Sequence, residues 1–228
     1  MQLYTLLPQV NPPDFDALCQ RLKVDEDLVD EFRDIYDQCV ASAAPKMLYG
    51  VCSVSRADDG KTVVVGDMTF RSKVLHINFE KIATAYPYVC TCGRELYNLS
   101  QSQSDPLSQY WVDSVSEEYL RLAMTKATMQ VQLDQHTSSL SAMNPGSLPD
   151  WPIAQQRPLF TLLGNVMGEI GVELTDSFLM LPVKSVSGLM FESEEHYTNC
   201  TLCPRAKCPG RRSPFDPQLY RQKYHLGA

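Results

Sequence analysis

The stretch Ser177-Phe-Leu-Met-Leu-Pro-Val-Lys-Ser-Val-Ser-Gly-Leu-Met-Phe191 carries the clearest strand signal in the last quarter of the chain. Apolar residues fill 178–181 and dominate 186–191, where Ser187 and Gly188 interrupt them. Both runs, on either side of Pro182, have the length and composition of strands. Proline has no backbone N–H to donate to a sheet ladder, so it separates the two runs. The stretch therefore predicts that the domain ends its regular structure in a sheet.

Patterns upstream predict the other elements. Apolar residues recur at helical spacing over 14–44 and 107–137, and shorter helices are predicted over 94–99 and 158–170. Strands are predicted over 47–54, 61–70 and 86–91. This order predicts an α+β domain with a largely antiparallel sheet and flanking helices. We expect a helical segment over 1–44, an α+β core over 45–198 and a Cys-rich basic tail over 199–228.

Composition restricts the functional class. The 228 residues are 44% hydrophobic and 21% charged, which predicts a packed core. No apolar run approaches the roughly 20 residues that span a bilayer, and the N-terminus lacks the basic and apolar regions of a secretory signal. We therefore expect a cytoplasmic protein with no membrane partner. The net charge of −7 argues against nucleic-acid binding.

Three cysteines, Cys200, Cys203 and Cys208, lie within nine residues of each other. Thiolates at such spacing are typical ligands of zinc or of an iron–sulfur cluster. Cys19, Cys39 and Cys52 fall among apolar residues and are predicted to be core. Cys90 and Cys92 face the same side of a strand, so Cys92, and after it Cys90, is the candidate fourth ligand. His196 could also reach a metal. The remaining alternatives are a pair of cytosolic thiols with no ligand, or one disulfide plus a spare thiol.

The segment 199–228 has six basic residues and one acidic residue, so it carries +5 and the rest of the chain −12. Arg205, Lys207, Arg211 and Arg212 would offset the negative charge of a thiolate-bound centre. The Cys-x2-Cys-x4-Cys spacing with two Cys-Pro steps favours a 4Fe-4S cluster over zinc. A zinc ion would only hold the tail together and would take no part in redox chemistry.

Two stretches resemble a known family. Residues 144–153, Asn-Pro-Gly-Ser-Leu-Pro-Asp-Trp-Pro-Ile, and residues 173–191 are similar to the activation (reactivation) domain of vitamin B12-dependent methionine synthase. Over about 25–212 the chain resembles the stand-alone, single-domain relatives of that module in anaerobic bacteria. The resemblance implies a twisted, largely antiparallel sheet with flanking helices. The C-terminal cysteines resemble the tails of the stand-alone relatives.

The resemblance also implies a function. In the family, an electron donor reduces an inactive Co(II) corrinoid, and S-adenosylmethionine then traps the reduced cobalt as methylcobalamin. This implies an accessory protein of cobalamin-dependent methyl transfer, with a corrinoid-binding or methyltransferase partner and an electron donor protein. No motif of an independent enzyme is present. The alternative is an iron–sulfur or zinc electron-transfer or interaction protein that kept the fold but lost S-adenosylmethionine binding.

The family's S-adenosylmethionine loop has the pattern Arg-x-x-x-Gly-Tyr. Alignment on Gly146 places Ala142 at the arginine and Ser147 at the tyrosine, so the side chain that pairs with the ligand carboxylate is missing. The corresponding loop here is Asn144, Pro145, Gly146, Ser147 and Leu148, whose glycine still permits close backbone approach. Glu118, beside Glu117, is the nearest match to an acidic residue of the family's site. Trp151 is predicted to be a core residue behind the loop.

Overall fold

The computed structural model describes residues 1–193, 197–208 and 210–224. Its main element is a seven-stranded sheet in the order β4-β3-β2-β5-β9-β6, with β1 pairing β2 off this path. Each described strand pair is antiparallel. The strands are β1 Gln2–Leu6, β2 Lys46–Arg56, β3 Thr62–Val65, β4 Met68–Arg71, β5 Thr84–Thr91, β6 Leu140–Met143, β7 Glu173–Leu174, β8 Met180–Leu181 and β9 Ser185–Glu192. Strands β7 and β8 pair only with each other.

The described helices are α1 Phe15–Leu22, α2 Val29–Ser42, α3 Lys73–Asn78, α4 Arg94–Ser102, α5 Pro106–Gln135, α6 Gln156–Leu163 and α7 Val166–Ile170. Local sequence sets the ends of the longest one, α5. The Asp105 carboxylate accepts from the backbone N–H of Ser108 at 2.7 Å, and Pro106 stands at the first helical position. His136 ends the helix in the left-handed conformation. None of the described helices is long and apolar enough to span a membrane.

Helices cover both faces of the sheet. Because side chains alternate along a strand, β5 sends Ala85 and Val89 to a core with α3, α6 and α7, and Tyr86, Tyr88 and Cys90 to a core with α5. Helix α5 meets the sheet through small residues one turn apart, Ala123, Ala127 and Val131. A third cluster joins α1, α2, α4 and the first half of α5.

The predicted α+β class and largely antiparallel sheet are confirmed. Several boundaries were wrong. The helix predicted over 14–44 is two helices, since Lys23 adopts φ 52° after α1. The strand over 61–70 turns back at Gly66, and the helix over 158–170 breaks at Gly164. Only Met180–Leu181 of the run 178–181 pairs as a strand.

Four of the eight cysteines are fully buried. Cys39 and Cys52 are 0% and 4% exposed, which confirms the prediction that they are core residues, and Cys19 is half-buried. Desolvation raises the pKa of the Cys39 thiol from the ordinary value of 9.0 to about 12, and a smaller contribution comes from neighbouring Cys92. Burial also raises the pKa of Cys92 to about 12. These thiols stay protonated at neutral pH and pack as small apolar groups.

The raised thiol pKa values predict alkaline destabilisation. Above pH 9 the unfolded chain loses thiol protons that the folded chain keeps until about pH 12, so the free energy of unfolding falls across this window. Urea unfolding at about pH 8 and about pH 10.5 measures the fall. Replacement Cys39→Ala should make it smaller by about 2 kcal/mol. The control Val112→Ala, at a buried position of the same cluster that cannot titrate, should keep the wild-type fall; an equal change of the fall in both variants would contradict the assignment.

Candidate functional site

The loop over 144–148, here called the Pro-Gly loop, leaves the end of β6 and crosses directly over β9. Gly188 makes this approach possible. A Cβ at Gly188 would collide with the carbonyl oxygen of Met143 and would lie 2.7 Å from Asn144 Nδ2 and 3.1 Å from Tyr88 Cε1. Only a glycine leaves room here for the Met143 carbonyl at the end of β6 and for the Asn144 side chain at the start of the loop. The Ser-Val-Ser-Gly strand and the Pro-Gly loop are therefore one structural unit.

Asn144 fixes the start of the loop. Its Nδ2 donates to the Tyr88 hydroxyl at 2.8 Å and to the Ser187 carbonyl at 2.9 Å, while its Oδ1 accepts from Asn199 Nδ2 at 2.9 Å. Tyr88 is 1% exposed, and desolvation raises the pKa of its hydroxyl, which therefore stays neutral. Asn144 thus joins a central strand, β9 and the tail through one amide.

The tip of the loop is a tight turn. Gly146 has φ 84°, its N–H donates to the Trp151 carbonyl at 2.7 Å, and the Ser147 N–H donates to the Asn144 carbonyl at 3.1 Å. Pro145 and Leu148 are buried, so only Gly146 and Ser147 face solvent. Both tip amides are therefore used inside the turn.

Trp151 supports the loop from below. It is 1% exposed and meets Phe70 edge-on at 6.1 Å between ring centroids, as predicted for a core residue.

Glu118 lies elsewhere. Its carboxylate accepts from Arg121 Nε at 2.8 Å and pairs with Arg21 of α1 at 3.6 Å. Its hydrogen bonds and ion pairs in the described part of the chain do not reach the Pro-Gly loop. Glu117, its neighbour, pairs at 3.9 Å with Lys184, the residue directly before β9. The structure thus gives Glu118 a role in joining α1 to α5.

The Cys-rich segment, defined as the described residues 199–208 and 210–213, folds around Arg211. The guanidinium donates through one nitrogen to the carbonyls of Cys200 and Ser213, at 3.2 and 3.1 Å. Through the other it donates to the carbonyls of Cys203, at 3.1 Å, and Arg205. The backbone N–H of Arg212 donates to the Cys200 side chain, with 3.4 Å between the nitrogen and Sγ.

The predicted metal ligands do not converge. Cys90 lies in the core against α5 and Cys92 in the helical cluster, whereas Cys203 packs against the core on the opposite sheet face. Within residues 1–193, 197–208 and 210–224, no three His, Cys, Asp or Glu side chains are grouped to hold a metal ion. His196 lies outside the described residues. This arrangement does not fit a four-ligand centre that includes Cys90 or Cys92, and metal binding by the tail thiols stays a prediction.

Comparison with known proteins finds one matching family and a similar solved structure. The model of the family described as "vitamin B12 dependent methionine synthase, activation domain" matches residues 131–206, a range that contains the Pro-Gly loop and β9. A solved structure, "Crystal Structure of the MetH Reactivation Domain bound to AdoHcy", is similar with a TM-score of 0.60 and 14% identity, over 87% of this chain and 81% of that chain. No curated protein matches the chain. The resemblance inferred from the sequence is confirmed.

The close contact of the loop with β9 predicts that a single methyl group added at Gly188 destabilises the fold. Replacement Gly188→Ala should lower the free energy of unfolding by about 1–3 kcal/mol, because the Met143 carbonyl and Asn144 must move. The matched control is Gly210→Ala, where a Cβ would meet nothing within 4 Å. Urea unfolding measures both. Equal stabilities of the two variants would contradict the close approach.

Proposed function

We propose that this chain supports the reductive reactivation of a vitamin B12-dependent methyltransferase by docking on the corrinoid-carrying partner. The observation that carries the proposal is the family match over 131–206, since it spans the Pro-Gly loop, α6 and β9 together. The similarity of the whole fold to the MetH reactivation domain supports it. The cobalamin belongs to the partner, and an electron donor protein is a further proposed participant.

The Pro-Gly loop forms a tight turn, but none of its side chains carries a charge that could pair with a ligand carboxylate. S-adenosylmethionine, when bound, supplies the methyl group that traps reduced cobalt. In this chain Asn144, Pro145 and Leu148 hold the loop in place, and Gly146 and Ser147 present its tip. Ala142 carries no charge to pair with a ligand carboxylate, and the tip amides are already bonded. The loop does not fit tight carboxylate binding, so docking is the proposed contribution of this chain.

A second candidate function follows from the same residues. Ala142 and Ser147 favour an interaction or electron-transfer protein that kept the fold and lost S-adenosylmethionine. An iron–sulfur or zinc centre at Cys200, Cys203 and Cys208 remains a prediction, and no step of the proposed function passes through it.

The proposed function predicts that this chain speeds the conversion of an inactive Co(II) corrinoid to methylcobalamin. A corrinoid methyltransferase held in the Co(II) state, with a reductant and S-adenosylmethionine, should form methylcobalamin faster when this chain is added. The absorption spectrum of the corrinoid measures the rate. The control is the same mixture with the chain unfolded by heat, which has the same composition but cannot dock on the partner. No acceleration by the folded chain would contradict reactivation and leave the second candidate.

Restoring the two missing side chains should restore ligand affinity. The variant Ala142→Arg with Ser147→Tyr should bind S-adenosylmethionine roughly tenfold or more tightly than the wild type, because a charge-assisted hydrogen bond contributes about 1.5–3 kcal/mol. Equilibrium dialysis with radiolabelled ligand measures this.

The control for that experiment carries the same residues at exposed sites, Leu133→Arg with Ser102→Tyr. A gain in both double variants would mean that added charge alone attracts the ligand. Tight binding of S-adenosylmethionine by the wild type would show that the missing arginine and tyrosine side chains are not needed for affinity.

A further inference from the structure

We propose that the Arg211 guanidinium, rather than a bound metal ion, closes the Cys-rich segment and holds it on the Pro-Gly loop. The inference rests on hydrogen bonds among the described tail residues and is independent of the proposed function. It assigns Arg211 as a positioning residue.

Four backbone carbonyls from separate turns of the segment converge on this one side chain: those of Cys200, Cys203, Arg205 and Ser213. The guanidinium is permanently charged and has five N–H donors in a rigid plane, so it can bind several carbonyl oxygens at once. Its own backbone N–H donates to the Cys208 carbonyl at 3.2 Å. All three cysteines of the motif are thus tied to Arg211 through their backbones.

The charge of Arg211 is stabilised by hydrogen bonds to these carbonyl dipoles. Asp216 is the only acidic residue of 199–228, and its Oδ1 accepts from the N–H groups of Gln218 and Leu219, each at 2.9 Å. The arrangement resembles a cation held by carbonyl oxygens, with the guanidinium as the cation.

The closed segment is connected to the Pro-Gly loop. Cys200 follows Asn199, whose amide donates to Asn144 Oδ1 at 2.9 Å. The Thr198 and Ser213 hydroxyls, 3.0 Å apart, join the two ends of the segment. Leu202, which is fully buried in the core, anchors the segment independently of Arg211. Loss of the guanidinium should therefore open the segment without unfolding the domain.

This closure accounts for the positions of the thiols. Cys200 Sγ accepts from the Arg212 N–H, and Cys203 packs against the core. Neither thiol is needed to bring the turns of the segment together, because the carbonyls already do so around Arg211.

Amide hydrogen exchange with mass spectrometry tests the proposal on the full chain, using Arg211→Ala, Arg211→Lys and the control Arg221→Ala. Exchange over 199–208 should become about tenfold faster in both Arg211 variants, because an ammonium cannot reach four carbonyls. The loop over 144–148 should also exchange faster. The control, an exposed arginine of the same tail, should match the wild type. Unchanged urea unfolding of all three variants shows that the domain stays folded.

A metal-centred segment would behave differently. The wild type purified without oxygen is compared before and after treatment with a chelator, with metal analysis of Cys203→Ser and Cys39→Ser beside it. Unchanged exchange after chelation supports closure by Arg211. Faster exchange after chelation, together with metal lost only from Cys203→Ser and wild-type exchange in Arg211→Lys, would overturn the proposal.

Discussion

The close approach of the Pro-Gly loop to Gly188 is the constraint on which the candidate site depends. The missing side chain lets the Met143 carbonyl and the Asn144 amide lie against β9. From there Asn144 reaches Tyr88 on the neighbouring strand and Asn199 in the tail. A larger residue at one position would separate three parts of the chain that are more than forty residues apart in sequence.

The sheet makes this contact rigid by being buried on both faces. Strand β5 is fully buried over most of its length, between the α5 core and the core of α3, α6 and α7. Tyr88 therefore has a fixed position from which its hydroxyl meets Asn144. The same burial keeps Cys90 and Cys92 as neutral thiols inside separate clusters, away from the tail. Packing thus limits which cysteines are available for chemistry.

The chain combines a fold similar to that of the MetH reactivation domain with a tight Pro-Gly loop and a basic tail. The loop has Pro145 and Leu148 buried and Ser147 exposed at its tip, and Ala142 lies in the preceding strand β6. The tail attaches next to that loop through Asn199 and is closed by an arginine. The proposed docking on a corrinoid-carrying partner rests on this arrangement, in which Ala142 offers no charge to a ligand carboxylate.

The sequence by itself determined the fold class, the long helix α5, most of the central strands and the core positions of Cys39, Cys52 and Trp151, because these depend on local periodicity and apolar runs. It missed β1, α3 and β6, whose short or mixed sequences become regular only through pairing and packing with distant residues. The loop was predicted from its motif, but the partners of Asn144 and the role of Gly188 were not. The carbonyls around Arg211 come from turns that meet only in space, so only the tertiary structure decided how the cysteine motif is closed.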